Sequence, residues 1–240
     1  MATSGSKITF SVRIALTTIM SCLMVAILLS AISIYQSVQD ADESIDQLRK
    51  NLLADYDNLI KSEVETVVSA VRAIYEREQK GELKTDQAKE LAAHLIRSMK
   101  YGKEGYFWAD TVEGVNVVLL GKKDVEGKSR INLIDKKGTP FIKLIIENGR
   151  KEGGGFTDYW FPKAGKDVAE LKRGYSLEFK PWGWVIGTGN YVDDIEAIIK
   201  KEEDKKRTSL KQEIAILVGA ALLVTILAVI IAMMVFKKTL

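Results

Sequence analysis

Two stretches of this chain carry no charged residue, 14–34 with 21 residues and 214–236 with 23. A helix rising 1.5 Å per residue crosses a bilayer core in roughly 20 apolar residues. Both stretches are therefore read as transmembrane helices. The first holds five Ser and Thr residues and invites comparison with a signal peptide. Its apolar run is longer than an h-region, and no small-residue cleavage site leads into a mature start, so it is read as an uncleaved span.

Between the spans the pattern is first helical. Val38, Ala41, Ile45, Leu48 and Leu52 recur by threes and fours, as do Ile60, Val64, Val67, Val71 and Ile74. The step Leu52–Tyr56–Ile60 shifts the stripe as a stutter does. This spacing predicts one helix from about Ser37 to Gln79, continuous with the first span and ended by Gly81. A second helix follows, with Ala88, Leu91, Leu95 and Met99 on one face and Thr85 as N-cap.

The pattern then turns to short apolar runs between turn residues. Fifteen of the 18 glycines, all three prolines and all four tryptophans fall in 102–189. Five strands are predicted, at Tyr106–Ala109, Val115–Leu120, Phe156–Phe161, Gly174–Phe179 and Trp184–Thr188. Their short connections predict antiparallel pairing. Pro140 opens a short helix that ends near Lys151, before Gly153-Gly-Gly155. Asp193, Asp194 and Glu196 begin a last helix, where their charge suits the helix dipole, and it runs into the second span without a proline. The fold class is α+β, an antiparallel sheet with a long N-terminal helix between two membrane helices.

Charge orients the chain. Lys7 and Arg13 precede the first span, and Asp40, Asp42, Glu43 and Asp46 follow it, which places residues 1–13 in the cytoplasm. The cluster Lys200, Lys201, Lys205, Lys206, Arg207 and Lys211 before the second span opposes this, but long translocated domains depend little on such charge. The net charge of +3 comes from four cations outside the intervening segment, which itself holds 31 basic and 32 acidic residues. Such a balance gives no footing for nucleic-acid binding. The single cysteine, Cys22, excludes an intramolecular disulfide framework and, with one histidine, a Cys/His metal site.

No catalytic set emerges. Gly127-Lys-Ser-Arg130 lacks the glycine loop of a nucleotide site. Any Ser or Cys nucleophile has only His94 as a base, and His94 reads as a surface or half-buried side chain on its helix. No pair of carboxylates is singled out for hydrolase chemistry. The chain is read as a non-enzyme without a cofactor. The strands are rich in aromatics: Tyr106, Trp108, Tyr159, Trp160, Tyr175, Trp182 and Trp184. Most read as core, and a minority as lining for a small-molecule pocket. Asp110, Asn116, Lys172 and Arg173 stand at strand ends among them. A cation there suits a ligand carboxylate, and an acid among aromatics suits a ligand amine.

Several of these residues form an ordered set: Gly105-Tyr-Phe-Trp-Ala-Asp110, Gly127-Lys128, Asp135, Gly138, Gly155-Phe-Thr-Asp-Tyr159, Pro181-Trp-Gly-Trp-Val-Ile-Gly-Thr-Gly189 and Tyr191-Val-Asp-Asp194. The set resembles the single-Cache (type 2) sensor domain of bacterial chemotaxis receptors over about 101–196. The resemblance implies a PAS-like sheet, placed in the periplasm or outside the cell, that senses small metabolites. Short carboxylates such as acetate, lactate, pyruvate and propionate are the class it implies, within a homodimer. Tyr106, Trp108, Asp110, Tyr159, Lys172 and Tyr175 are the implied ligand-binding residues. Leu119 and Leu120 stand where many members carry a His-Pro pair.

The expected organisation is a cytoplasmic N-terminus at 1–13, a span at 14–34, a helical section at 35–100 and the sensor sheet at 101–196. A juxtamembrane helix at 197–213, a span at 214–236 and the start of a cytoplasmic linker at 237–240 complete it. The expected function is the ligand-binding input of a chemotaxis receptor, with the membrane lipid and a cytoplasmic signalling module absent from this chain as partners. The alternatives are the input of a histidine kinase or cyclic-dinucleotide enzyme, or a ligand-free interaction module.

Overall fold

The structure, a computed structural model, describes residues 10–102, 104–120, 122–163 and 165–239. Lys7 and the closing Leu240 lie outside the described residues. Helix α1 runs over Phe10–Gln79 and α2 over Thr85–Ser98. Then come β1 (Lys100–Tyr101), β2 (Gly105–Tyr106), β3 (Trp108–Thr111), β4 (Asn116–Leu119), α3 (Phe141–Gly149), β5 (Gly155–Pro162), β6 (Ala169–Phe179), β7 (Trp184–Tyr191) and α4 (Val192–Thr239). Two helices, those containing Leu16–Gln79 and Val192–Met234, are long and apolar enough to cross a membrane.

Two compact units are distinguishable, one formed by the residues up to Leu48 with those from Ile199 on, the other by Arg49–Ile198. The first is helical. Its apolar side chains are open, Met20 being 70% and Ile216 71% exposed, as a lipid-facing helix requires. Within it Ser37 Oγ donates to Glu213 Oε1 at 3.0 Å.

The second unit is built on a five-stranded antiparallel sheet in the order β4-β3-β7-β6-β5, with β1 and β2 as a separate pair. One face packs against α1 and α2. Ile60, Val64, Val67, Val71 and Ile74, the stripe read from sequence, are all buried there with Phe107, Phe179, Trp184 and Ile186. The opposite face packs against α3 through Phe141, Ile142, Ile145 and Ile146, which meet Tyr106, Trp108, Tyr159 and Val185. Alternation along β7 sorts its residues accordingly, Trp184 and Ile186 to the first face and Val185 to the second.

Four local expectations need correction. The N-cap of α2 is Lys84, whose backbone N–H donates to Gln87 Oε1 at 3.0 Å, while Thr85 lies inside the helix and its hydroxyl donates to Glu78. The buried stripe of α2 is Ala88, Ala92 and Ile96, with Leu91 39% exposed, because the small residues turn toward the sheet. The run Tyr106–Ala109 is broken at Phe107, leaving Tyr106 in β2 and Trp108 in β3. Strand β6 begins at Ala169, so Lys172 and Arg173 lie inside the strand and not at its end. Lys, Arg and Glu dominate that stretch, which hid its extended backbone from a hydrophobicity pattern.

Candidate functional site

Five of the six residues singled out from sequence converge on the α3 side of the sheet. Across three strands, Lys172 of β6 stands in register with Tyr159 of β5 and Tyr191 of β7. Lys172 is 0% exposed. Its Nζ donates to the Tyr106 hydroxyl at 3.0 Å. Around it stand the rings of Tyr106 at 4.2 Å, Tyr191 at 4.9 Å, Trp108 at 5.3 Å and Phe161 at 6.0 Å, measured to the centroids. Among the described residues no carboxylate forms an ion pair with it. Burial pushes the amine below the ordinary lysine range, against a smaller opposing contribution from Tyr106.

Trp108 packs its ring against two strand glycines, a floor without side chains. A Cβ on Gly187 would come within 2.6 Å of its ring, and one on Gly174 within 3.2 Å. Glycine inside a strand costs stability and marks a close approach, which here is the indole. Its Nε1–H is buried without a hydrogen-bond partner among the described residues, as is Asn116 Oδ1. A buried donor left unpaired is costly. Tyr159 fixes the other side, stacked on Phe141 at 5.1 Å and edge-on to Trp108 at 6.4 Å. Burial holds the Tyr159 hydroxyl well above the usual phenol range.

Asp110 is already engaged. Arg130 grips it twice, Nε to Oδ1 at 3.1 Å and Nη2 to Oδ2 at 2.6 Å, and Asn116 Nδ2 donates to Oδ1 at 3.0 Å. The guanidinium ties the β4–α3 connection to β3. Asp135 ties the same connection to β5, because Oδ1 accepts the backbone N–H of Lys137 at 2.8 Å and of Thr139 at 2.9 Å, and Oδ2 that of Trp160 at 3.0 Å. Leu119 is buried in the cluster with Tyr106 and Trp108.

Tyr175 stands apart. It points to the other face, packs against Phe156 at 5.0 Å, and its hydroxyl donates to Gly153 O. Arg173, beside Lys172, points that way too and bonds Asp57 of α1 at 2.6 and 3.0 Å and Asp158 at 3.0 Å. Reading from sequence had not connected Arg130, Phe141, Phe161, Tyr191 or the glycine floor with the site. Only the glycines inside predicted strands carried a signal, that of a close backbone approach. His94 is exposed on α2.

A buried lysine amine and an N–H donor without a partner among the described residues, walled by aromatic rings, suit a small anion with an apolar body. The Asp110 oxygens are taken by Arg130 and Asn116, while Asn116 Oδ1 is a buried acceptor without a hydrogen-bond partner among the described residues.

A family model described as single Cache domain 2 matches residues 52–205. The sensor histidine kinase MctS of Rhizobium johnstonii is 29% identical over 182 residues, covering 76% of this chain and 39% of its own length. The methyl-accepting chemotaxis protein McpP of Pseudomonas putida is 26% identical over 169 residues, covering 70% of this chain and 30% of its own. A solved structure described as the periplasmic sensor domain of a chemotaxis protein superposes with a TM-score of 0.57 at 29% identity, over 58% of this chain and 97% of its own. The matched stretch spans less than two-fifths of these two curated relatives.

Proposed function

We propose that this chain, which belongs to the single Cache domain 2 family, is the input part of a chemotaxis receptor that binds a short carboxylate outside the cytoplasmic membrane. One observation carries the ligand class: among the described residues the fully buried Lys172 amine has the Tyr106 hydroxyl as its hydrogen-bond partner, and the neighbouring indole N–H of Trp108 has none. A carboxylate satisfies both at once. In this reading Tyr106 and Tyr159 shape the pocket, and Asp110 positions Arg130 and the loop. Tyr175 acts from the other face by holding β6 against Gly153. The sensor works as a homodimer, with the 14–34 and 214–236 stretches in the membrane.

Signal leaves through β7, which continues at Val192 into α4, the helix that contains the second apolar stretch. Ligand contacts favour one of two packings, and α4 moves by roughly 1–2 Å. Two glycines inserted near Thr208 uncouple binding from signalling. A receptor with that insertion that still responds normally refutes the rigid-helix route.

The ligand reading is tested by thermal unfolding of the full chain in nanodiscs with small acids, amines and amino acids. A specific ligand at 100 times its Kd stabilises by about 2.7 kcal/mol. Stabilisation by acids that disappears in Lys172→Ala and Trp108→Ala supports the reading, while stabilisation by amines alone or by nothing refutes it. A kinase as output is the second reading, favoured by the likeness to the sensor kinase MctS.

A further inference from the structure

The Lys172 amine is buried and has no counter-ion among the described residues. The groups that face it come from every neighbouring strand. β2 presents the Tyr106 hydroxyl, β3 presents Trp108, and β5 presents Tyr159 and Phe161. β7 presents Tyr191, whose ring also faces Lys163, and Lys163 is itself bound to Asp193 and Asp194. The acid on the same face, Asp110, is neutralised by Arg130. So the described groups in contact with the amine are hydroxyls and ring faces; Asp110 is paired with Arg130, and the carboxylates of Asp193 and Asp194, 43% and 56% exposed, meet Lys163 and not Lys172. Ring faces attract a cation but do not supply its missing charge. An ionised group in such a place gives up its charge more readily than it stays unpaired.

We propose that the site binds a small carboxylic acid together with one proton, which the Lys172 amine takes up. The inference rests on the ligand reading above. The free site holds the neutral amine, hydrogen-bonded to Tyr106. An entering carboxylate brings the absent negative charge, and the amine then gains a proton from solvent to become its ammonium partner. Equivalently, the undissociated acid enters and passes its proton to nitrogen. No other bond changes, and the added charges sum to zero. The Trp108 N–H donates to the second carboxylate oxygen. The sensor then reports the product of acid and proton concentrations, so it responds most strongly where an acid accumulates in an acidified medium.

The test is titration calorimetry of the full chain in nanodiscs with sodium acetate, propionate, L-lactate and pyruvate. Each is run at several values between about pH 6 and 9, in two buffers of different ionisation enthalpy. The buffer dependence gives the protons taken up per ligand bound. Uptake is expected to rise toward one with increasing pH. Ligand binding raises the amine's proton affinity, so Kd weakens at the alkaline end, by up to about tenfold per unit. Zero uptake with a flat Kd across the range overturns the inference and leaves the carboxylate reading standing. Binding of none of the four acids overturns both. Lys172→Met, which keeps an unbranched apolar stem and cannot be protonated, assigns the group. Loss of binding, or binding without uptake, supports Lys172, and unchanged uptake refutes it. Should that variant fail to fold, the wild-type titration still decides the proton.

Discussion

Replacing Arg130 by Met breaks the pair that anchors the β4–α3 connection. In the wild type the carboxylate of Asp110 is 0% exposed and the guanidinium side chain 7%. The variant leaves the carboxylate with Asn116 Nδ2 at 3.0 Å as its remaining side-chain donor. Breaking one half of a buried pair costs about 3–5 kcal/mol. An independent ceiling follows from the alternative of protonating the stranded acid. For an ordinary aspartic acid that costs about 4 kcal/mol at neutral pH, at 1.36 kcal/mol per unit. The two figures agree, and for a unit of this size they correspond to a fall in Tm of roughly 8–16 °C. The assay is thermal unfolding of the full chain in nanodiscs, followed by near-UV circular dichroism of the tryptophans. Adding Asp110→Leu restores most of the stability, since apolar groups can replace a buried pair at little cost. A loss below about 1 kcal/mol for Arg130→Met alone, or no recovery in the double variant, refutes the view that this pair is isolated from water.

Gly187→Ala places a Cβ within 2.6 Å of the Trp108 ring and 2.9 Å of the Tyr175 carbonyl oxygen; it lowers stability by about 1–3 kcal/mol, shifts the tryptophan emission and weakens acid binding, and unchanged emission and affinity contradict the glycine floor. Asp135→Asn tests the loop anchor. Burial raises the pKa of Asp135, but the donors from Thr139, Trp160 and Lys137 outweigh it and the net shift is downward. The stabilisation from Asp135 is thus full above the ordinary carboxylate range and is lost as pH falls through the lowered folded value. Wild type and variant should converge in stability at the acid end, and a constant gap across pH counts against the anchor. Asp57→Asn removes half of a partly exposed pair with Arg173, whose two side chains are 33% and 24% exposed; the loss is about 1 kcal/mol or less and falls with added salt, and a loss independent of salt refutes an electrostatic role.

Much of this architecture is written locally. The period of Ile60, Val64, Val67, Val71 and Ile74 specifies both a helix and its buried face, because one stripe meets one sheet. The five strands and their antiparallel pairing follow from short apolar runs and short connections. Pairing across strands is another matter. Nothing in the order of residues says that Tyr159, Lys172 and Tyr191 stand abreast, since their separation along the chain is decided by two hairpins. Arg130 was hidden for the same reason: it lies in irregular chain, and only the folded sheet brings Asp110 to it. The five convergent site residues were found through resemblance; the even step from Trp108 to Asp110 puts that pair on one face of β3, whereas strand pairing sets Tyr159 beside Lys172. Tyr175 is separated from Lys172 by an odd step along one strand, which sends it to the opposite face.

That odd step also bears on how the sheet is assembled correctly. Lys172 and Arg173 are neighbours that point to opposite sides of the longest strand, one into an aromatic cage and the other onto Asp57 and Asp158. A slip of β6 by one position exchanges them. The guanidinium then enters the cage, and unlike an amine it cannot shed its charge. The correct alignment buries the only one of the two cations able to become neutral. The chain thus carries its own proofreading at this strand: a misaligned sheet traps a permanent charge away from water and is disfavoured against the correct one.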